Sequence, residues 1–240
     1  VNARRLSRAE AQARLAREGI GTTPVQDRNF ALQVTEGERK IAQSPTYREG
    51  LVELQDASSQ AAMEALALPS GARVLDYCAG GGGKTLALAA RLDGVWFAHD
   101  ADPGRMTDLP ARAGRAGSDV RICGAEMLRD LSPFDAVLCD VPCSGSGTWR
   151  RAPQAKWTLT PEALADLVRR QDGILRRAAE LVRPGGQMIY TTCSVLAEEN
   201  EAVVAGFAAA SKGWRVTARR RWPVSTMGDG FFLAQLCREE

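Results

Sequence analysis

The chain has 240 residues, enough for one large domain or a medium domain with a small companion. Its 45% hydrophobic content is that of a globular protein with a proper core, and 31 basic against 29 acidic residues leave a net charge of only +2. A total so near neutral carries no nucleic-acid signal, so RNA or DNA binding has to be argued from local patches.

No apolar run reaches membrane length and no signal-peptide pattern opens the chain, so neither a membrane partner nor export is expected, and a cytoplasmic location is. The cysteines Cys78, Cys123, Cys139, Cys143, Cys193 and Cys237 have no C-x-x-C pairing, and several lie inside apolar runs. They read as reduced thiols rather than a disulfide framework.

Taken in chain order, Ser7 and Glu10 form a capping box that opens a helix running to about Glu18 and ending at Gly19. Strand-like pieces follow at Ala31–Val34 and Leu51–Leu54, with a helix-like stretch near Glu36–Ala42. Residues 1–55 therefore read as a small α+β unit. From Asp56 the pattern alternates: a helix over Ala57–Ala67, a strand Arg73–Asp76, a helix Thr85–Arg91 and a strand Val95–His99. Arg-rich helical sequence leads to strands at Val120–Cys123 and Ala136–Cys139. A long amphipathic helix spans Pro161–Leu181, and Pro184-Gly185-Gly186 turns into a strand Gln187–Thr191. A helix Ala197–Ala210 then precedes strands Trp214–Ala218 and Phe231–Leu236, which lack a helix between them and suit an antiparallel edge hairpin. The spacing predicts an α/β fold, about seven strands in a mostly parallel sheet, over residues 56–240.

Ends of neighbouring parallel strands form the ligand crevice of such sheets. Three runs end in chemistry: Asp76-Tyr77-Cys78 before the glycines Gly80–Gly83, Asp140-Val141-Pro142-Cys143, and Thr191-Thr192-Cys193-Ser194. Gly83-Lys84-Thr85 resembles the tail of a P-loop, but that motif needs glycine where Cys78 stands, and the dinucleotide pattern G-x-G-x-x-G fails at its third glycine. What remains is strand, acidic residue, glycine turn and helix, with Asp100 ending the next strand. A carboxylate there suits ribose hydroxyls, and glycines admit close approach to an adenosine-containing cofactor without pyrophosphate. Two thiols facing that site point to covalent chemistry. A zinc site is disfavoured, because His99 is the only histidine and the thiols lack clustered spacing.

The run Asp76–Thr85 resembles the first motif of the Sun/Fmu-like RNA cytosine-5 methyltransferases. The likeness continues at Gln55–Gln60, Asp140–Cys143, Arg150–Trp157, Thr191–Asn200 and Asp229–Phe232, so it spans about residues 45–240. It implies a class I S-adenosylmethionine-dependent, Rossmann-like methyltransferase with a seven-stranded sheet, preceded by a small α+β RNA-recognition unit that residues 1–55 fit. Cys193 is implied as the nucleophile and Cys143 as the thiol that assists product release. Asp140 is implied to hydrogen-bond the cytosine ring edge, with Lys84 supporting the same pocket. For S-adenosylmethionine the resemblance implies Cys78, Ala79, Gly80, Gly81, Gly82, Gly83, Lys84, Asp100, Arg105, Glu126, Asp140 and Pro142. No metal is expected. The family's usual proline is Gly81 here, Ala125 stands where an acidic residue is usual, with Glu126 beside it as the substitute, and Gln154 replaces an aspartate.

Cytosine carbon 5 is a poor nucleophile until a thiolate adds at carbon 6, which is the reason such an enzyme needs an activated cysteine. Arg150, Arg151, Lys156 and Trp157 follow the Pro-Cys loop and are expected at the mouth of the site, offering cations and a stacking face to an unpaired or flipped-out base. Basic clusters at Arg4–Arg17 and Arg219–Arg221 are weaker candidates. The expected substrate is RNA, ribosomal RNA favoured over transfer RNA, with the protein acting as a monomer. A non-catalytic RNA-binding assembly factor is the rival that the three departures motivate, and the retained Asp140, Cys143 and Cys193 oppose it. Many bacterial members carry a further helical RNA-binding domain, and a chain opening at Val1 is compatible with its truncation.

Overall fold

The computed structural model describes residues 1–240. Helix α1 (Arg8–Arg17) starts at the expected capping box, where Ser7 accepts from the Glu10 amide and Glu10 accepts from the Ser7 amide. An antiparallel hairpin of β1 (Gly21–Pro24) and β2 (Leu32–Glu36) follows. The short Gly-Thr-Thr-Pro segment becomes a strand only because β2 supplies its partner, which is why the sequence did not reveal it. The stretch near Glu36–Ala42 is a 3-10 turn over Glu38–Gln43, followed by the single-turn α2 (Pro45–Arg48). Leu51–Leu54 is not a strand: no partner edge lies beside it, Leu51 is buried, and Val52 packs on the small core of Leu15, Ile20 and Ile41.

This amino-terminal unit is seated on the rest of the molecule by polar contacts. Asn2 Nδ2 donates to the carbonyls of Gly50 at 3.2 Å and Ala116 at 2.8 Å, and the Arg115 guanidinium lies 4.4 Å from the Tyr47 ring centroid. Gly50 has φ +69°, and a Cβ there would fall 2.1 Å from the Arg115 carbonyl oxygen. Only glycine permits both that backbone and that approach.

After α3 (Ala57–Glu64), capped by Asp56, the chain builds one seven-stranded sheet. Its strands are β3 (Ala72–Asp76), β4 (Gly94–Ala98), β5 (Val120–Ile122), β6 (Phe134–Asp140), β7 (Val182–Thr192), β8 (Trp214–Trp222) and β9 (Phe231–Arg238). The spatial order is β5-β4-β3-β6-β7-β9-β8. Strands β3 to β7 are parallel, and β9 runs antiparallel between β7 and the edge strand β8. Helices α4 (Gly83–Ala89), α5 (Leu109–Ala116), α6 (Leu128–Leu131), α7 (Gln154–Thr158), α8 (Pro161–Leu181) and α9 (Glu201–Ala210) fill the connections. Pro184–Gly186 lies inside β7 as a bulge: Phe134 faces Val182 but Ala136 faces Gln187, so extra residues are accommodated on one side.

The main core packs Leu75, Phe97, Phe134, Val137 and Tyr190 against Leu175 and Ala178 of α8 and Val204 and Phe207 of α9, with a second cluster beneath α3 and α4. Strand order reverses between β3 and β6, so the crevice expected of an open α/β sheet lies at the carboxyl ends of these two neighbours. No helix is long and apolar enough to cross a membrane.

Gly50→Ala is expected to lower folding stability by about 2–3 kcal/mol, because it adds a strained φ and a backbone collision. Denaturant unfolding of the variant beside the parent measures this, and an unchanged midpoint would show that the amino-terminal unit is not seated through this contact.

Candidate active site

The glycine turn is anchored on both sides of the crevice. Tyr77 N–H donates to the Leu138 carbonyl at 2.8 Å and Ala79 N–H to the His99 carbonyl at 2.9 Å, tying the end of β3 to β6 and β4. Asp100 is buried and accepts from Gly80 N–H and Asp102 N–H, each at 2.9 Å, while Arg105 reaches it at 3.4 Å. Gly82, with φ +76°, faces away from the crevice, and a Cβ there would meet Leu109 Cδ1 at 2.2 Å. Gly80, Gly81 and Gly83 line it, as do Cys78 and Ala79.

Asp76 lies at the base of this turn, 2% exposed. Thr85 Oγ1 donates to one of its oxygens at 2.6 Å, and the other has no partner although it is buried. Burial pushes the carboxyl up to about 7, against the bond from Thr85.

Lys84, in the first turn of α4, donates to Asp140 Oδ2 at 2.6 Å, and Thr191 at the end of β7 donates to Asp140 Oδ1 at 3.0 Å. Burial works against the lysine's charge, but the Asp140 carboxylate and its hydrogen bond outweigh it, so the Lys84 pKa is raised. The thiols of Cys143 and Cys193 meet at 3.5 Å. The hydrogen bond from Cys143 holds the Cys193 thiol below its ordinary value, with Lys84 acting in the same sense against burial and Asp140. That shared bond and burial push Cys143 up, with the Glu199 carboxylate acting in the same direction. The bond the two thiols share thus shifts them in opposite directions, Cys193 down and Cys143 up. Cys123 and Cys139 are buried core thiols, and Cys78 lines the crevice with its thiol pushed up by burial.

Two adjoining cavities share Cys78 and Arg105. The larger, about 860 Å³, is bounded by Tyr77, His99, Asp100, Glu126, Pro142 and α8. The smaller, about 360 Å³, holds Lys84, Asp140 and Cys193. Glu126 folds back over Gly124, where a Cβ would lie 2.1 Å from its Oε1. No group of three or more His, Cys, Asp or Glu is arranged to hold a metal ion.

Beside the thiols, Arg150 and Arg151 both donate to the buried Asp229 carboxylate, with Arg150 Nε at 3.2 Å. They keep 41% and 58% of their side chains exposed, so each is anchored yet accessible. Trp157 is 81% exposed, with Lys156 Nζ 5.5 Å from its ring centroid. The outlying arginines are more committed: Arg4, Arg5 and Arg8 donate to backbone carbonyls, Arg14 pairs with Glu49 and Arg221 with Glu201. Arg17, Arg219 and Arg220 are exposed.

The structure adds residues that the motifs contained without revealing their place. Gln55, Asp56, Ser59 and Asp229 line the thiol cleft, and Asp56 Oδ2 accepts from Asp229 N–H at 3.1 Å. Arg112, Thr148, Arg170 and Arg177 carried no local signal at all, and they reach the cavities only through the packing of α5 and α8 and the loop after β6.

The sequence profile of the family described as 16S rRNA methyltransferase RsmB/F matches residues 63–237. Ribosomal RNA small subunit methyltransferase B of Xanthomonas campestris pv. campestris is 36% identical, over 98% of this chain and 58% of its own length. The protein of that name from Vibrio cholerae is 33% identical, over 100% of this chain and 58% of its own length. This chain thus spans a little over half of either relative. A methyltransferase homologue from Pyrococcus horikoshii superposes with a TM-score of 0.84 at 27% identity, covering 99% of this chain and 85% of that one.

The electrostatics predict that Cys193 is the thiol alkylated most rapidly by iodoacetamide at neutral pH. Lys84→Met removes the cation and leaves Asp140 unneutralised, so the thiol pKa rises and labelling at pH 7 is expected to slow about tenfold. Peptide mass spectrometry over a pH series measures both, and equal rates in the two proteins would remove Lys84 from thiol activation.

Proposed function

This chain belongs to the RsmB/F family of 16S rRNA methyltransferases, and we propose that it methylates carbon 5 of a cytosine in RNA, ribosomal RNA in preference to transfer RNA, with S-adenosylmethionine as the methyl donor. The observation that carries this reading is the pair of thiols 3.5 Å apart, beside the Lys84–Asp140 pair and opening onto a glycine-turn cavity.

The residues present fit that cofactor. Asp76 has a buried oxygen without a partner, suited to an ammonium; Asp100 and Glu126 place carboxylates in a cavity of about 860 Å³, within the usual size of small-molecule sites, roughly 300–1,000 Å³. Cys78, Ala79, Gly80, Gly81, Gly83, Arg105 and Pro142 complete the lining, and Gly82 shapes the turn from behind. When bound, the cofactor supplies a methyl group on a sulfonium.

In this reading the Cys193 thiolate adds to cytosine carbon 6, forming a C–S bond and making carbon 5 nucleophilic. Asp140, fixed by Lys84 and Thr191, holds the ring edge. After methyl transfer a water molecule takes the carbon-5 proton, the C–H electrons re-form the C5=C6 bond and the C–S electrons leave with Cys193 as thiolate; Cys143 serves this release by donating its S–H to that departing sulfur. Arg150, Arg151, Lys156 and Trp157 hold the flanking RNA, and residues 1–55 form the RNA-recognition unit ahead of a catalytic domain at 56–240. A ribosomal RNA substrate supports action in the cytoplasm.

Methyl transfer from labelled S-adenosylmethionine to unmodified small-subunit ribosomal RNA, followed by nucleoside analysis, tests the reading; 5-methylcytosine is the expected product. No label together with no cofactor binding would favour the assembly-factor role. Cys193→Ala is expected to abolish methylation and the adduct, and Cys143→Ala to accumulate a protein–RNA adduct that survives denaturation. The reverse pattern would invert the two roles.

The Asp76 carboxyl is largely neutral below about 7 and charged above it. Because an ammonium binds the charged form, cofactor affinity is expected to rise with pH, by up to about tenfold per unit below 7, and to decline again above about 8 as the ligand's own α-ammonium deprotonates. Calorimetry of Asp76→Asn is expected to show weaker binding without this rise; a rise that persists would assign it to another group.

A further inference from the structure

The most deeply buried carboxylate outside the cofactor cavity is Glu199, which is 0% exposed and has no cation against it. Burying an unpaired charge is costly unless hydrogen bonds satisfy it. Three donors do so: Ser144 N–H at 2.8 Å, the Ser144 hydroxyl, and Gln171 Nε2 at 3.0 Å. Gln171 Nε2 also lies 3.0 Å from the Pro142 carbonyl, to which it donates. Cys143 is therefore pinned on both sides, through Pro142 and through Ser144, by bonds that converge on one carboxylate. The next residue does the same for the other thiol. Asn200 Nδ2 donates to the Ser194 carbonyl at 2.9 Å, and Asn200 Oδ1 accepts from Thr192 Oγ1 at 2.6 Å, so Cys193 is bracketed too. The two turns are stitched together by the Ser146 and Ser194 hydroxyls, 2.8 Å apart.

We propose that Glu199 and Asn200 are positioning residues that set the two thiols independently, Glu199 fixing Cys143 for release and Asn200 fixing Cys193 for attack. Neither side chain is placed to touch RNA or cofactor, and each acts through backbone groups adjoining a thiol. These same commitments explain why α9 starts at Glu201 rather than Ala197: Asn200 has φ −109° and ψ −96°, outside the helical region, while its amide bridges Thr192 and Ser194. The Glu199 charge also helps keep Cys143 in its thiol form, behind the larger effects of the Cys193 bond and burial.

The inference rests on the proposed covalent mechanism for its RNA readout. Glu199→Ala is expected to slow turnover about 100-fold while the denaturation-resistant adduct accumulates, since a displacement of about 1 Å at a reacting group costs that much. Asn200→Ala is expected to lose turnover and adduct together. Glu199→Gln can still accept from Ser144 N–H and Gln171 and donate to the Ser144 hydroxyl, so it is expected to restore turnover to within about tenfold of the parent. If a folded, cofactor-binding Glu199→Ala loses adduct and turnover in parallel, or a folded Asn200→Ala still accumulates adduct, the two thiols are not set independently and the proposal fails. It fails equally if Glu199→Ala turns over like the parent. Should Glu199→Ala not fold, Ser144→Ala removes a single donor and is expected to shift the balance toward adduct in the same direction. A parent protein that forms no adduct would overturn the covalent reading instead. The positioning claim would then be read from iodoacetamide labelling: with the bonds that pin the Cys143 turn lost, Glu199→Ala is expected to raise the Cys143-to-Cys193 labelling ratio, and an unchanged ratio would overturn it.

Discussion

The contact on which the site depends is the ion pair between Lys84 and Asp140, 2.6 Å apart with side chains only 16% and 31% exposed. It joins the helix that follows the glycine turn to the end of β6, across the point where the strand order reverses. In a partly desolvated crevice such a pair is stronger than in water, and its attraction outweighs the burial that disfavours the lysine's charge. Thr191 on β7 fixes the remaining oxygen of Asp140, so the carboxylate is set between neighbouring strands rather than free to rotate. The cation then lies close enough to Cys193 to favour its thiolate, and the strand ends around it bring Cys143 and Cys193 into contact.

Buried carboxylates elsewhere are handled in three ways. Asp229 is neutralised by Arg150 and Arg151, which turns two cations of the cleft mouth into fixed features while leaving their outer faces exposed. Glu199 relies on neutral donors alone, and each donor belongs to, or also binds, the turn that carries Cys143. Asp76 keeps one oxygen unsatisfied at the base of the glycine turn.

A net charge of +2 conceals a strongly organised surface. Most arginines of the amino-terminal helix region hold carbonyls or carboxylates of the fold, so they cannot be counted as free cations. The groups left accessible beside the thiols are Arg150, Arg151, Lys156 and the exposed ring of Trp157. The proposed contact with single-stranded RNA at the cleft mouth rests on this selective availability rather than on total charge.

Local chemistry in the sequence determined most of the elements. The Ser7–Glu10 box placed α1, apolar runs placed five strands of the main sheet close to their observed limits, while β7 starts earlier and β8 ends later than expected, and Pro161–Leu181 was legible to the residue as α8. The motif residues likewise pointed to Asp140, Cys143 and Cys193 at strand ends. Where pairing or burial decides, the sequence was silent or misleading. Leu51–Leu54 has strand-like composition but no partner edge, Gly21–Pro24 is a strand only against β2, and Ala197–Asn200 is held out of its helix by buried side-chain bonds. Nothing local shows that Cys143 and Cys193, 50 residues apart, touch, or that Glu199 braces one and Asn200 the other. Periodicity and turn chemistry act over a few residues and so can be read along the chain; contacts among strand ends depend on sheet order and register, which only the packed structure fixes.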